Sequence, residues 1–217
     1  MLGTPKLYER DPNAVLVPVR GVFIHQDYSV GTLINDIAVV LLAYPVNFSS
    51  YIQPVCLAEK MMEVKAGTPC WVTGWGRTVG IRSSPKPGNL QELEVYIVDT
   101  DECKMKINEA VGCYGMGVRR GMVCSYRQQG QSPCWGDSGG PLVCEINETW
   151  IQVGIVSWGV DCGVNPLPTM YTHVSEYMDW ITAILSQAAC MGSMGVCQLL
   201  LCLELLLLLL LAIVVPL

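Results

Sequence analysis

From Val15 to Ile184 the apolar positions fall mostly in short runs rather than at helical spacing. Ile37 to Leu42 (IAVVLL) and Trp150 to Val156 (WIQVGIV) have strand length, and Gly, Pro, Asn and Ser punctuate the chain around them. Such runs predict β-strands, and a succession of them predicts a sandwich or a barrel. Two segments depart from this texture. Thr100 to Ile107 predicts a short helix with Thr100 as its cap. Ser175 to Leu185 carries Tyr177, Trp180, Ile181 and Ile184 at helical spacing, with Ser175 placed as N-cap. Arg82 to Asn89 (RSSPKPGN) reads as a surface loop. The last stretch, Leu199 to Leu217, is apolar except at Cys202 and Glu204, and is long enough to approach a membrane span.

Composition changes this picture only at its edges. The chain has 217 residues, and 19 acidic against 13 basic side chains leave a net charge of -6. Hydrophobic residues make up 51%, a share that returns to an ordinary globular level once the tail is set aside. Disorder is excluded. An acidic balance whose only adjacent basic pair is Arg119-Arg120 argues against a nucleic-acid partner.

The 11 cysteines (56, 70, 103, 113, 124, 134, 144, 162, 190, 197 and 202) point to disulfides and an oxidising compartment. Zinc is the competing reading. There is no C-x-x-C, and His25 and His173 stand far apart, so no metal or other cofactor is implied. The sequons at Asn47 and Asn147 suit a glycosylated chain of the secretory pathway, at the cell surface or outside it. Residues 1 to 10 lack the apolar core of a signal peptide. That mismatch leads to the expectation that the sequence starts downstream of its natural start; a genuine short product is the alternative. At the other end, Ser186, Ala188, Ala189, Gly192 and Ser193 precede the apolar tail. Small residues before a terminal apolar run read as a GPI-attachment signal, with a retained membrane anchor or a gene-model artefact as alternatives.

The chemistry concentrates in Cys134-Trp135-Gly136-Asp137-Ser138-Gly139-Gly140-Pro141-Leu142. A serine on a tight glycine-rich turn exposes its oxygen, and the N–H groups of Gly136 and Ser138 are placed to receive a developing oxyanion. The bland alternative is a glycine-rich turn that happens to contain serine. Further motifs follow one order: NDIAVVLL from Asn35, QPVCL from Gln53, CWVTGWG from Cys70, VSWG from Val156, PTMYTHV from Pro168 and YMDWI from Tyr177. Together, over about residues 1 to 187, they resemble the trypsin/chymotrypsin-like serine proteases, among them members with a GPI or tail anchor.

The resemblance implies an all-β fold of two barrels, the first incomplete here, with a C-terminal helix and the apolar tail. Residues 1–56 would be the first-barrel remnant, 57–187 the second barrel, and 188–217 the tail. It implies Ser138 as nucleophile, Asp36 as the triad carboxylate, and a polypeptide substrate or inhibitor as partner. A membrane partner would come through the tail. It also implies disulfides Cys70–Cys144, Cys103–Cys124 and Cys134–Cys162. Cys56 resembles a cysteine that binds a propeptide in many members, and Cys113 has no family role. Ser132 would form the base of the primary pocket, lined further by Trp135, Ser157, Trp158, Gly159 and Thr169. A neutral serine at the base and a branched Thr169 predict a shallow pocket for small or medium apolar side chains.

Two features depart from the family. The triad histidine lies roughly 45 residues before the aspartate, yet only 35 residues precede Asp36. His25, 11 positions upstream, falls in an ordinary loop motif, and His173 reads as structural. The family also pairs a new N-terminal ammonium with the carboxylate before the nucleophile, here Asp137. Without that partner Asp137 is expected to turn elsewhere and leave the oxyanion hole zymogen-like. The chain as given is therefore expected to be inactive. A protease-like binding domain and a truncated product are the alternatives.

Overall fold

The computed structural model describes residues 1–78, 80–81, 83–112, 117–128, 131–160, 162, 167–192 and 213–215. Most of its regular secondary structure is strand. β1 (Val19–Ile24) and β2 (Ala38–Leu42) form an antiparallel pair, with Phe23 opposite Val39. A larger sheet gathers β3 (Cys56–Leu57), β4 (Pro69–Gly74), β5 (Gln91–Val98), β6 (Met122–Tyr126), β7 (Pro141–Ile146), β8 (Thr149–Gly159) and β9 (Thr169–His173). Its order is β3-β8-β7-β4-β5-β6-β9, and β8 also pairs with β9. That last pairing closes β4-β5-β6-β9-β8-β7 into a six-stranded barrel, with β3 added in parallel on β8. β10 (Ile213–Val215) lies on the free side of β2. The architecture is the expected one: a closed barrel beside an incomplete one.

Side-chain alternation explains which faces are inside. In β4, Cys70 and Val72 are buried, and in β5, Val95 and Ile97 are buried on either side of exposed Tyr96. β8 instead buries five residues in succession, Gln152 to Val156, because it is covered on both faces. Leu142, Ile155 and Tyr171 fill the barrel, and Ile37 from the strand pair's approach joins the same core. The disulfides Cys70–Cys144, Cys103–Cys124 and Cys134–Cys162 form; the first joins residues directly opposite each other in β4 and β7. Cys56 is an exposed free thiol. Cys113, Cys197 and Cys202 lie outside the described residues.

Helix α1 runs Thr100–Val111, four residues past the expected end. Its cap is Asp99 rather than Thr100: the Asp99 carboxylate accepts from Asp101 N–H at 2.8 Å. An ionised acceptor also complements the helix N-terminal dipole, which a hydroxyl does less well. Helix α2 spans Met178–Gly192 and follows a 3-10 turn over Val174–Tyr177. Ser175 is therefore inside the turn and caps nothing; its hydroxyl bonds His173 Nε2 at 3.2 Å. Among the described residues no helix is long and apolar enough to cross a membrane. Residues 193–212, which hold most of the apolar tail, lie outside the described residues.

Candidate active site

The segment after β6 and before β7 bends sharply because its backbone closes on itself. Asp137 N–H donates to Cys134 C=O at 2.9 Å, and Gly140 N–H donates to Asp137 C=O at 2.8 Å. Gly136 sits third in the first of these turns with φ of +101°, a conformation costly for any residue with a Cβ. A Cβ on Gly136 would also come within 3.0 Å of Lys86 Nζ, so that the end of this flexible side chain would have to shift slightly. The two turns raise Ser138 to the surface, where it is exposed. Among the described residues nothing accepts a hydrogen bond from the N–H of Gly136 or Ser138.

Asp137 points the other way. Its Oδ1 accepts from Gly76 N–H at 2.7 Å and its Oδ2 from Cys134 N–H at 3.0 Å. The carboxylate thus ties the serine turn to the loop that follows β4. The fit is close enough that a Cβ on Gly74 or Gly76 would overlap the carboxylate, so both glycines belong to this contact. A cavity of about 230 Å³ opens beside it, lined by Ser132, Cys134, Asp137, Gly76, Glu92 and Arg77 among others. A second opening brings Ser138 and Gly136 together with Trp75 and Leu90.

Asp36 stands just before β2 and is 2% exposed. A buried carboxylate needs donors, and Ser157 of β8 supplies one, its Oγ donating to Asp36 Oδ2 at 2.5 Å. The backbone is held too: Thr172 Oγ1 donates to Asp36 C=O at 2.7 Å, and Tyr177 OH donates to Asn35 Oδ1 at 3.1 Å. Asn35 has φ of +55°, a left-handed conformation that asparagine tolerates better than most residues. These three bonds clamp the Asn35-Asp36 pair onto the closed barrel. Burial pushes the Tyr177 hydroxyl up to about 12.

Both histidines are engaged in contacts of their own. His25 packs its ring against Tyr177 and Trp180, with centroids 5.6 and 5.0 Å away, and its Nδ1 accepts from Asp27 N–H. Partial burial lowers its pKa. His173 bonds Ser175, and burial lowers its pKa as well. Among the described residues no group of three or more His, Cys, Asp or Glu gathers into a metal-binding set.

Of the residues named for the substrate pocket, Ser132 is half-buried, Trp135 and Gly159 are exposed, and Thr169 is buried directly opposite Gly159 in the β8–β9 ladder. Trp158 is buried, and among the described residues its Nε1 has no hydrogen-bond partner. Asn47 and Asn147 are both exposed. Asn147 and Glu148, with φ of +51° and +61°, make the tight hairpin turn between β7 and β8. The clamp by Thr172 and Tyr177 was missed in the sequence. Residues 136 positions or more apart leave no local pattern, and Asn35 next to Asp36 was the one available hint.

The comparisons with known proteins cover the same span as the motifs. The trypsin family model matches residues 1–181. Testisin from Homo sapiens is 38% identical over 174 residues, which are 78% of this chain and 54% of testisin. A tryptase from Mus musculus is 39% identical over 168 residues, 76% of this chain and 61% of the tryptase. The chain therefore spans a little over half the length of the curated relatives it matches. With a closed six-stranded barrel, a raised serine on a glycine turn, a buried aspartate clamped to that barrel and a family match over most of its length, this chain belongs to the trypsin family of serine proteases.

Proposed function

We propose that this is the nucleophile-bearing part of a serine-type endopeptidase that works through an acyl-enzyme. Ser138 attacks the scissile carbonyl, the N–H groups of Gly136 and Ser138 receive the oxyanion, and Asp36 orients and stabilises the imidazolium of a histidine base. The observation that carries this reading is the exposed Ser138 on a turn whose two amide donors are unengaged among the described residues. His25 and His173 are the only histidines of the sequence and both are committed to other contacts. On this reading the chain supplies the nucleophile, the oxyanion donors and the triad carboxylate, neither His25 nor His173 serves as the base, and the commitment of Asp137 to Gly76 and Cys134 supports a zymogen-like state.

Ser132 at the pocket base carries no charge, and Thr169 opposite Gly159 narrows the depth. This supports cleavage after small or medium apolar side chains, with polypeptides as substrates or inhibitors as partners. Three disulfides support the secretory pathway, and exposed Asn47 and Asn147 support glycosylation there. Membrane association through residues 188–217, by GPI attachment or a retained anchor, rests on the apolar run of the sequence.

The test is hydrolysis of a peptide library by the protein expressed in its own cells, with Ser138→Ala as control. Cleavage after Ala, Val or Leu that Ser138→Ala abolishes is expected. Cleavage after Arg alone would sink the pocket assignment. The placement of both histidines favours a second reading, a protease-like binding domain. Inhibitor or peptide binding without any Ser138-dependent hydrolysis would favour that reading.

A further inference from the structure

The ammonium of Lys86 reaches the nucleophile turn from a separate loop. Its Nζ and Cε lie 3.0 and 3.1 Å from the point where a Cβ on Gly136 would stand, which puts a positive charge beside one of the two amide donors. Lys86 is exposed and belongs to the connection between β4 and β5. Pro85 and Pro87 flank it. Each ring fixes a φ, and the residue before a proline is held extended, so the backbone that carries Lys86 is stiff. Among the described residues Lys86 makes no ion pair. Asp137, the carboxylate of the same turn, faces the N–H groups of Gly76 and Cys134 instead.

The topology decides which part of a substrate meets this charge. β7 begins just after Ser138, with β8 on one flank, where Pro141 faces Ile155, and β4 on the other, where Val72 faces Leu142. Gly159 and Thr169, named for the substrate pocket, stand on the β8–β9 flank. Trp75, Lys86 and Leu90 stand on the β4–β5 flank, and Trp75 and Leu90 share an opening with Gly136 and Ser138. A peptide that seats the side chain before its scissile bond on the β8 flank runs its leaving-group half toward Lys86. One residue of extended chain spans ~3.3 Å, so the first and second side chains past the bond come within reach. We propose that Lys86 is a specificity-determining residue that favours Asp or Glu at the first or second position after the cleaved bond, an inference that rests on the reading of Ser138 as nucleophile. Paired at an exposed rim, the two charges favour the acidic peptide by about two- to fivefold, and salt screens the preference.

Two measurements on the protein expressed in its own cells test this, with fluorescein-labelled peptides that carry Val before the bond and differ only in Glu or Gln at the first or second position after it. The first is binding to Ser138→Ala by fluorescence anisotropy, which does not depend on catalysis. The Glu peptide is expected to bind about two- to fivefold more tightly at low salt, with the margin shrinking at about 0.5 M NaCl. Adding Lys86→Ala should remove the preference, Lys86→Glu should reverse it and Lys86→Arg should keep it. The second is kcat/KM for the same peptides with Ser138 in place, where the Glu-to-Gln ratio should follow the same order. Hydrolysis with one ratio in the parent and in Lys86→Glu would overturn the proposal and leave the nucleophile assignment standing. Binding that depends on Lys86 and on the peptide's charge, without hydrolysis, would sink the nucleophile reading and keep Lys86 as the contact for an acidic peptide. Neither binding nor hydrolysis of any of these peptides would overturn both.

Discussion

Replacing Asp137 by alanine removes the acceptor that Gly76 N–H and Cys134 N–H share, at 2.7 and 3.0 Å. A hydrogen bond to a charged group contributes about 1.5–3 kcal/mol, and leaving a buried donor unpaired costs in the same range. Asp137 is only half-buried, so water screens the charge and reaches part of the vacated space. The lower end of the range applies to each bond, and the expected loss is about 3 kcal/mol. Asp137→Asn keeps one oxygen acceptor but turns an NH₂ group toward the other amide, so it recovers only about 1 kcal/mol. Urea unfolding followed by tryptophan fluorescence, with the disulfides intact, measures both. Trp75 and Trp135 flank the contact in sequence and report on it locally. An Asp137→Ala stability within about 0.5 kcal/mol of the parent, at unchanged m-value, would refute the reasoning. The turn would then be held by the Cys134–Cys162 disulfide without help from the carboxylate.

Three further outcomes follow from the same geometry. Gly76→Ala places a methyl group onto the Asp137 carboxylate and is expected to destabilise by about 1–3 kcal/mol in the same assay, with little further loss when Asp137→Ala is already present. Ser157→Ala leaves the buried Asp36 Oδ2 without its 2.5 Å donor and is expected to cost about 2 kcal/mol, whereas Ser157→Thr, which keeps the hydroxyl, costs less. Burial holds the hydroxyls of Tyr177 and Tyr171 above the ordinary tyrosine value, to about 12 for Tyr177. The unfolded chain then releases these protons first as pH rises, so the stability they contribute is complete below pH ~10 and declines between ~10 and ~12. The slope is about 1.4 kcal/mol per pH unit for each tyrosine; Tyr177→Phe should flatten an alkaline unfolding curve, and an unchanged slope would contradict the assignment.

The strands were legible because their signal is local. Ile37 to Leu42 and Trp150 to Val156 are apolar runs between turn residues, and they appear as β2 and within β8. Helix ends were less so, since Asp99 and Thr100 are both acceptable caps and only the fold decides which carboxylate or hydroxyl meets Asp101 N–H. The site divides in the same way. Gly136 and Ser138 are neighbours in sequence, and their turn announces itself. Ser157 was assigned to the substrate pocket, but its hydroxyl bonds Asp36 across 121 positions, a pairing set by how β8 passes the start of β2. The turning of Asp137 onto Gly76 depends likewise on a 61-residue separation that no periodicity encodes.

The most direct measurement is labelling of this chain by a fluorophosphonate probe, with the modified residue mapped by mass spectrometry and free imidazole added in increasing amounts. An intact nucleophile turn that lacks only its base predicts background labelling in buffer, labelling at Ser138 that rises with imidazole, and none in Ser138→Ala. Rapid labelling of Ser138 without imidazole would show that a base is already in place and contradict the placement of His25 and His173. A folded chain that never labels at Ser138, whatever the imidazole concentration, would contradict the nucleophile assignment and leave the binding-domain reading in its place.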